Sequence, residues 1–202
     1  VVMIRSIGSG IRSNASKYIS YIWLLFGFMW TVWYQLVRGE IMVDADMSSE
    51  MVLADILNKE HSVTGLTTNW FYSTELRALQ MQWLYRIGLA VFPHNWHLAR
   101  SLAMAIAIAI LIALVLLLFY AADRMELGVW VASATVFPGG GWYFWQAIYG
   151  GYYLPYIYIS ILSLTLMILI IKDHRAGFRG LYLVIAILVG IASGLNGVKQ
   201  LM

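Results

Sequence analysis

Hydrophobic residues in this chain are grouped into long blocks, and one long polar stretch separates the first block from the others. Each block approaches the length of roughly 20 residues that a helix needs to cross a bilayer. The pattern therefore predicts an all-α integral membrane protein with about five transmembrane helices in a single module, residues 1–202. The predicted spans are residues 18–37, 98–120, 127–148, 152–171 and 181–197.

The polar stretch, residues 38–97, is predicted to be a long first loop with two helices at the membrane interface. In residues 48–59, one face is expected to be apolar and the opposite face polar. A second helix is predicted for residues 74–91, with Ser73 as its N-cap. The apolar face of the first helix has Val52, Leu53, Ile56 and Leu57, and the polar face has Glu50, Asp55, Asn58 and Lys59. The apolar stripe of the second predicted helix contains Leu76, Leu79, Trp83, Ile87 and Val91.

The distribution of charge predicts how the protein lies in the cell membrane. With five spans, the basic residues of the short connections fall on one side, which the positive-inside rule assigns to the cytoplasm. The N-terminus is therefore expected in the cytoplasm, with residues 6–16 as a mobile lead, and the long loop outside the cell. These basic residues are Arg5, Arg12, Lys17, Arg124, Lys172, Arg175 and Arg179.

The composition excludes several classes of protein. Hydrophobic residues make up 61% and charged residues only 11% of the chain, whereas a soluble domain has about 25% charged residues. There is no cysteine for a disulfide or thiolate site, and no basic patch indicates nucleic-acid binding. The four histidines lack metal-site spacing, so no structural metal is expected. Both ends of the sequence suggest a piece of a longer protein.

Carboxylates concentrate in and beside the long loop, where seven of the ten acidic residues lie. Asp44 and Asp46 follow the first span closely, and a carboxylate at a low-dielectric surface can act as a general base toward a hydroxyl. Two simpler interpretations stay open. Asp46 could cap a helix that begins near Ser48, and Asp44 could be a solvated loop acid.

Residues of a second polar segment are suited to a phosphorylated lipid or a sugar. A guanidinium at Arg77 could bind phosphate, beside Glu75 and the rings of Trp70 and Tyr72. The alternative is an ion pair next to an interfacial aromatic belt. Lys199, near the outer end of the last predicted span, could also reach a lipid phosphate, or could be a snorkelling interfacial lysine.

Three strings of residues carry a resemblance to a known superfamily. DADMSSEMVLA (residues 44–54), NWFYSTELR (69–77) and SGLNGVKQ (193–200) are similar to multispan proteins of Gram-positive anaerobes that are regarded as GT-C-like. The layout of one span, an acidic outer loop and closely connected spans also resembles the GT-C superfamily of membrane glycosyltransferases. The resemblance extends from about residue 18 to residue 202.

The resemblance implies transfer of a sugar from a polyprenyl-phosphate donor to an extracytoplasmic glycan, lipid or protein acceptor. It implies an outer-loop Asp as general base, with Asp44 as the best match and Asp46 next. The motif departs from the superfamily's commoner form of adjacent acids, since Ala45 separates the two. No cofactor is expected, and a divalent metal at the carboxylates is left open. The alternatives are a non-catalytic assembly subunit, or a lipid-glycan carrier or transporter. The oligomeric state is not predicted.

Overall fold

The computed structural model describes residues 2–39, 45–72, 80–137, 151, 153–172 and 176–196, and these residues are organised as helices. Seven α-helices and no strands occur within these ranges, which confirms the all-α class. In chain order they are α1 (Val2–Arg38), α2 (Ala45–Lys59), α3 (Gln82–Val91), α4 (Trp96–Ala121), α5 (Met125–Val136), α6 (Leu154–Lys172) and α7 (Ala176–Asn196).

Three helical segments in the described part of the chain are long and apolar enough to cross a membrane. They are Trp96–Ala121, Leu154–Lys172 and Gly177–Gly194. Helix α5 is a shorter apolar helix, and residues 138–148, which complete the predicted third span, lie outside the described ranges. Helix α1 is rich in tryptophan and tyrosine and is not among the three. The molecule is therefore a helical membrane protein.

Helix α4 is the centre of the bundle and packs against α1, α3, α5 and α6. Three of its alanines follow one another at a spacing of four residues, and all are completely buried: Ala99, Ala103 and Ala107. Small side chains on one helix face allow neighbouring backbones to approach closely. The alanine face of α4 therefore sets how near its neighbours can lie.

Helices α1 and α5 run in the same direction and are joined by hydroxyl groups. The Ser133 hydroxyl donates to the Ser20 carbonyl at 3.2 Å, and the Thr31 hydroxyl lies 3.1 Å from the Val136 carbonyl. The Trp23 ring stacks on Phe137 with a centroid separation of 4.8 Å. Helix α7 packs on α6 and is otherwise exposed.

Two segments that were predicted to lie outside the helices, the N-terminal lead and the turn after α6, are partly or wholly helical. Helix α1 is continuous from Val2, so the expected mobile lead over residues 6–16 is wrong. Adding residues to an existing helix costs far less than nucleating a new one, which explains why the span continues. Helix α7 likewise begins at Ala176, so the polar connection after α6 is shorter than predicted.

Helix α2 overlaps the predicted helix of residues 48–59, and its buried face matches the predicted apolar face only in part, with Leu53 and Leu57 buried as expected. The helix begins three residues earlier than expected, at Ala45, and Val52 is 38% exposed. Because α2 packs on α3, the face turned inward is the one rich in methionine. The buried residues are Met47, Glu50, Met51, Leu53, Ala54 and Leu57. Glu50, which the sequence pattern assigns to the polar face, is therefore buried against the bundle.

Helix α3 is shorter than the predicted helix over residues 74–91 and buries another face. Gln80 and Met81 are not helical, and residues 73–79, including the expected cap, lie outside the described ranges. Ile87 and Val91 of the predicted stripe are exposed. Gly88 explains the rotation, since a Cβ there would lie 2.1 Å from the Ala99 carbonyl oxygen of α4.

Candidate functional site

One end of the bundle, which we call the polar end, is where α1 finishes, α4 begins, and α2 and α3 pack. The turn before α4 fixes the start of that helix, because the Asn95 side chain accepts a hydrogen bond from the Leu98 amide at 3.0 Å. An Asn in the N-cap position satisfies one of the free amides of the first helical turn. The side chains that follow on α4 are thereby directed toward the end of α1.

Side chains of α4 satisfy backbone carbonyls at the C-terminus of α1. His97 Nε2 lies 2.9 Å from the Leu36 oxygen, and the Arg100 guanidinium donates to the Gly39 oxygen at 3.4 Å. The Ser101 hydroxyl lies 3.5 Å from the Gln35 oxygen. The last carbonyls of a helix have no partners within the helix, and cations are favoured there. These contacts hold the two helix ends together.

Polar residues from four helices are buried at this end of the molecule. Arg100 is only 1% exposed and Glu50 only 7%. Burial of a charged group is costly unless the group is paired and hydrogen-bonded, and such residues at membrane depth are functional candidates by default. We call this set the buried polar cluster: Gln35, Glu50, Gln82, Arg100 and Ser101.

Arg100 connects the buried polar cluster to the beginning of α2. Its Nη2 atom lies 3.6 Å from the sulfur of Met47, and Met47 is one turn before Glu50 on α2. Asp46 is the neighbour of Met47 and lies in the first helical turn. A cation on α4 and the first turn of α2 are therefore held next to each other.

Asp46 is exposed in the structure. Since α2 begins at Ala45, Asp46 lies inside the helix, and it is not the cap of a helix starting near Ser48. A carboxylate in the first turn interacts favourably with the helix dipole. The Ser49 hydroxyl contacts the backbone oxygen of Asp46 at 2.8 Å. The side chain of Asp46 thus points to the surface of the polar end.

Trp70 and Tyr72 lie in the loop that follows α2, and both are half-buried. The Tyr72 hydroxyl accepts a hydrogen bond from the Thr67 amide at 3.0 Å, so this ring organises its own loop. The loop is also tied to α2, because Asn69 donates to Glu60 at 2.6 Å. Hydrogen bonds from Thr67 and Asn69 hold the pKa of the Glu60 carboxyl below its usual value.

Four of the predicted site residues fall outside the described ranges, so the predicted site as a whole stays a prediction. They are Asp44, Glu75, Arg77 and Lys199. Conversely, the sequence interpretation missed Arg100 and Glu50. The signal for Arg100 was an ionisable residue inside a predicted span. For Glu50 it was the helical spacing that it shares with Met47, Met51, Ala54 and Leu57.

An open cavity of about 680 Å³ lies at the other end of α2 from Asp46. Trp96 and Pro93 form an apolar wall, and Asp55, His61 and His94 provide polar groups. Asp55 accepts from Lys59 at 2.7 Å, so the two charges offset each other. Within the described ranges, no group of three or more His, Asp or Glu side chains converges to hold a metal ion.

The fold and the buried polar cluster define this chain as a helical membrane protein with a polar end. No family model matches its sequence, and no curated protein or solved structure is significantly similar to it. The function is therefore argued from the arrangement of its own residues.

Proposed function

We propose that the polar end faces the outside of the cell membrane and carries a glycosyltransferase site. In this proposal a sugar passes from a polyprenyl-phosphate donor to an extracytoplasmic glycan, lipid or protein acceptor. The N-terminus is in the cytoplasm, and the first turn of α2 forms part of the reaction site.

The observation that carries the proposal is the burial of Arg100 and Glu50 beside the first turn of α2. Keeping charged groups out of water costs several kcal/mol per ion even after relaxation, which a purely structural connection between helices does not require. Asp46 therefore lies on the helix turn that contacts Arg100, at the edge of the apolar bundle. A lipid-linked donor and its acceptor could meet there.

The proposed reaction is a single displacement at the sugar. Asp44, or Asp46 in its place, accepts the proton of the acceptor hydroxyl, and the acceptor oxygen forms a bond to the anomeric carbon. The bond from that carbon to the phosphate oxygen breaks, and polyprenyl phosphate leaves with the electron pair. The configuration at the anomeric carbon is therefore inverted.

The remaining predicted residues are assigned to the donor. Arg77, with Lys199, stabilises the negative charge that develops on the leaving phosphate. Trp70, Tyr72 and Glu75 contact the sugar. Arg100 is proposed as a positioning residue, because it contacts Met47 and Gly39 and holds the beginning of α2 against α4.

Transfer from a labelled polyprenyl-phosphate sugar tests the assignment of the base. We expect Asp44→Asn to lower transfer at least a hundredfold, the usual contribution of a general base. Asp46→Asn is expected to have the smaller effect, and the double variant should transfer sugar no faster than Asp44→Asn alone. The measurement uses the protein in vesicles with initial rates at saturating donor.

Asp55→Asn is the matched control, since Asp55 also lies on α2 but at its other end, paired with Lys59. It should transfer sugar like the unchanged protein. If the double variant of Asp44 and Asp46 retains full transfer, neither carboxylate is the base. If the unchanged protein transfers no sugar from any polyprenyl-phosphate donor, the proposed activity is wrong.

A further inference from the structure

A second site lies on the side of the bundle, in an apolar groove between α3, α4 and α6. The groove has a volume of about 240 Å³. With about 30 Å³ for a molecule the size of water, it has room for roughly eight heavy atoms. The lining residues are Gln80, Met81, Trp83, Leu84, Ile110, Pro155, Tyr158 and Ile159.

Gln80 is a polar side chain in the lining of an otherwise mostly apolar groove. It is 94% buried, since its exposed fraction is 6%. Its Nε2 atom donates to the Tyr156 hydroxyl at 3.0 Å, while its Oε1 atom is buried and has no hydrogen-bond partner in the described part of the chain. A buried polar atom without a partner costs about 1–3 kcal/mol. A ligand that bonds to this carboxamide would remove that cost.

The carboxamide limits the polar group that the ligand can have. The N–H₂ group of the amide already donates to Tyr156, so the oxygen without a partner requires a hydrogen-bond donor from the ligand. A neutral hydroxyl supplies that donor, whereas an ether oxygen can only accept. Among the described residues lining the groove there is no formal charge, which disfavours a phosphate or carboxylate headgroup.

The position of the groove relative to the membrane indicates which end of a bound ligand lies near the interface. Helix α6 has 19 residues and is about 28 Å long, close to the thickness of a bilayer core. Its first turn, with Pro155 and Tyr156, therefore lies near one interface, where Gln80 is bonded. Tyr158 donates to the Ala107 oxygen at 2.5 Å, so Ile110 lies one turn deeper on α4. The polar contact is at the interface and the apolar lining continues inward.

We propose that this groove binds a lipid alcohol, with its hydroxyl on Gln80 and its single hydrocarbon chain along Ile110 and Ile159. The order of polar and apolar groups from the interface inward matches such an amphiphile. The small volume fits the hydroxyl and the first carbons of one chain, while the rest of the chain extends into the bilayer. Binding does not depend on the proposed sugar transfer.

Photocrosslinking tests this site on the full chain in nanodiscs. The probe is a long-chain primary alcohol with a diazirine near the hydroxyl, and its methyl ether is the matched comparison. We expect the alcohol to label α3 and the first two turns of α6 about tenfold more than the ether does. That ratio corresponds to one hydrogen bond of about 1.4 kcal/mol. Gln80→Leu should reduce the labelling by the alcohol to that of the ether.

Two further variants keep the test decisive. Ile159→Trp fills the groove without touching Gln80 and should abolish labelling by both probes, so the site is still tested if Gln80→Leu fails to fold. Ser163→Leu removes an exposed hydroxyl of α6 that bonds within its own helix, and should label like the unchanged protein. Equal labelling by alcohol and ether, or full labelling of Gln80→Leu, would overturn the proposal. Displacement by diacylglycerol but not by the unlabelled alcohol would show that a two-chain lipid occupies the groove.

Discussion

Arg100 is the residue that most affects the arrangement of the polar end. Its guanidinium is almost completely buried and contacts both the C-terminus of α1 and Met47 of α2. A hydrogen bond that involves a charged group contributes about 1.5–3 kcal/mol to stability. A variant of Arg100 would therefore lose the geometry of the site together with stability. For this reason the proposed chemistry is better tested at Asp44 and Asp46.

His61 is a second residue under constraint, because its backbone lies in the left-handed region with φ of 51°. The amide of His61 bonds to Asn58, and that of Ser62 bonds to Leu57, which is the hydrogen-bond pattern that ends many helices with a glycine. A side chain in this conformation costs about 1–2 kcal/mol.

We expect His61→Gly to stabilise the protein by about 0.5–1 kcal/mol, since glycine relieves the strain but has more freedom in the unfolded chain. Unfolding in mixed micelles measures the change. Thr68→Gly, an exposed loop position without a positive φ, is the control and should give no gain. A loss of stability in His61→Gly would mean that contacts of the imidazole outweigh the backbone strain.

Between helices, hydroxyl groups join α1 to α5. Thr31 is 1% exposed, and its hydroxyl lies 2.8 Å from the Gly27 oxygen of its own helix and 3.1 Å from the Val136 oxygen of α5. Thr165 is equally buried, but its hydroxyl donates at 2.8 Å to the Ile161 carbonyl of its own helix. The two threonines therefore differ mainly in the bond to another helix.

We expect Thr31→Val to cost about 0.6–1 kcal/mol more than Thr165→Val, which is the usual contribution of a hydrogen bond between membrane helices. Both substitutions keep the volume of the side chain and remove the hydroxyl. Equilibrium unfolding of the two variants under the same conditions gives the difference. Equal losses would show that the hydroxyl of Thr31 serves its own helix and that α1 and α5 are joined by packing alone.

For the whole molecule, the decisive property is which side of the membrane the polar end faces. The chain has no cysteine, so a single introduced cysteine reports one position. Thr68 is exposed at the polar end, and Glu126 is exposed near the turn between α4 and α5 at the other end.

We expect a membrane-impermeant maleimide to label Thr68→Cys on intact cells, and Glu126→Cys only after the membrane is made permeable. This result follows from the excess of basic residues that the positive-inside rule places in the cytoplasm. The reverse pattern would put the polar end in the cytoplasm, and a transfer to extracytoplasmic acceptors would then be wrong.

The sequence by itself determined the class of the protein and the position of most helices. A block of apolar residues long enough to cross a bilayer forms a helix because its backbone groups must be satisfied within the segment. Helices α4, α6 and α7 accordingly occupy the residues of three predicted spans, whatever their neighbours are. The acidic stretch before and within α2 was likewise visible as the polar interruption between apolar blocks.

Only the tertiary structure decided which faces are buried. Glu50 lies on a polar side of α2 by sequence pattern and is nevertheless inside, because α2 packs on α3 through its methionine face. Gly88 determines how close α3 comes to Ala99, and Arg100 is buried because α1 ends beside it. The contacts of Arg100 with Gly39 and Met47 join residues more than 50 positions apart in the sequence. Local periodicity carries no information about such pairs, whereas burial depends on them directly.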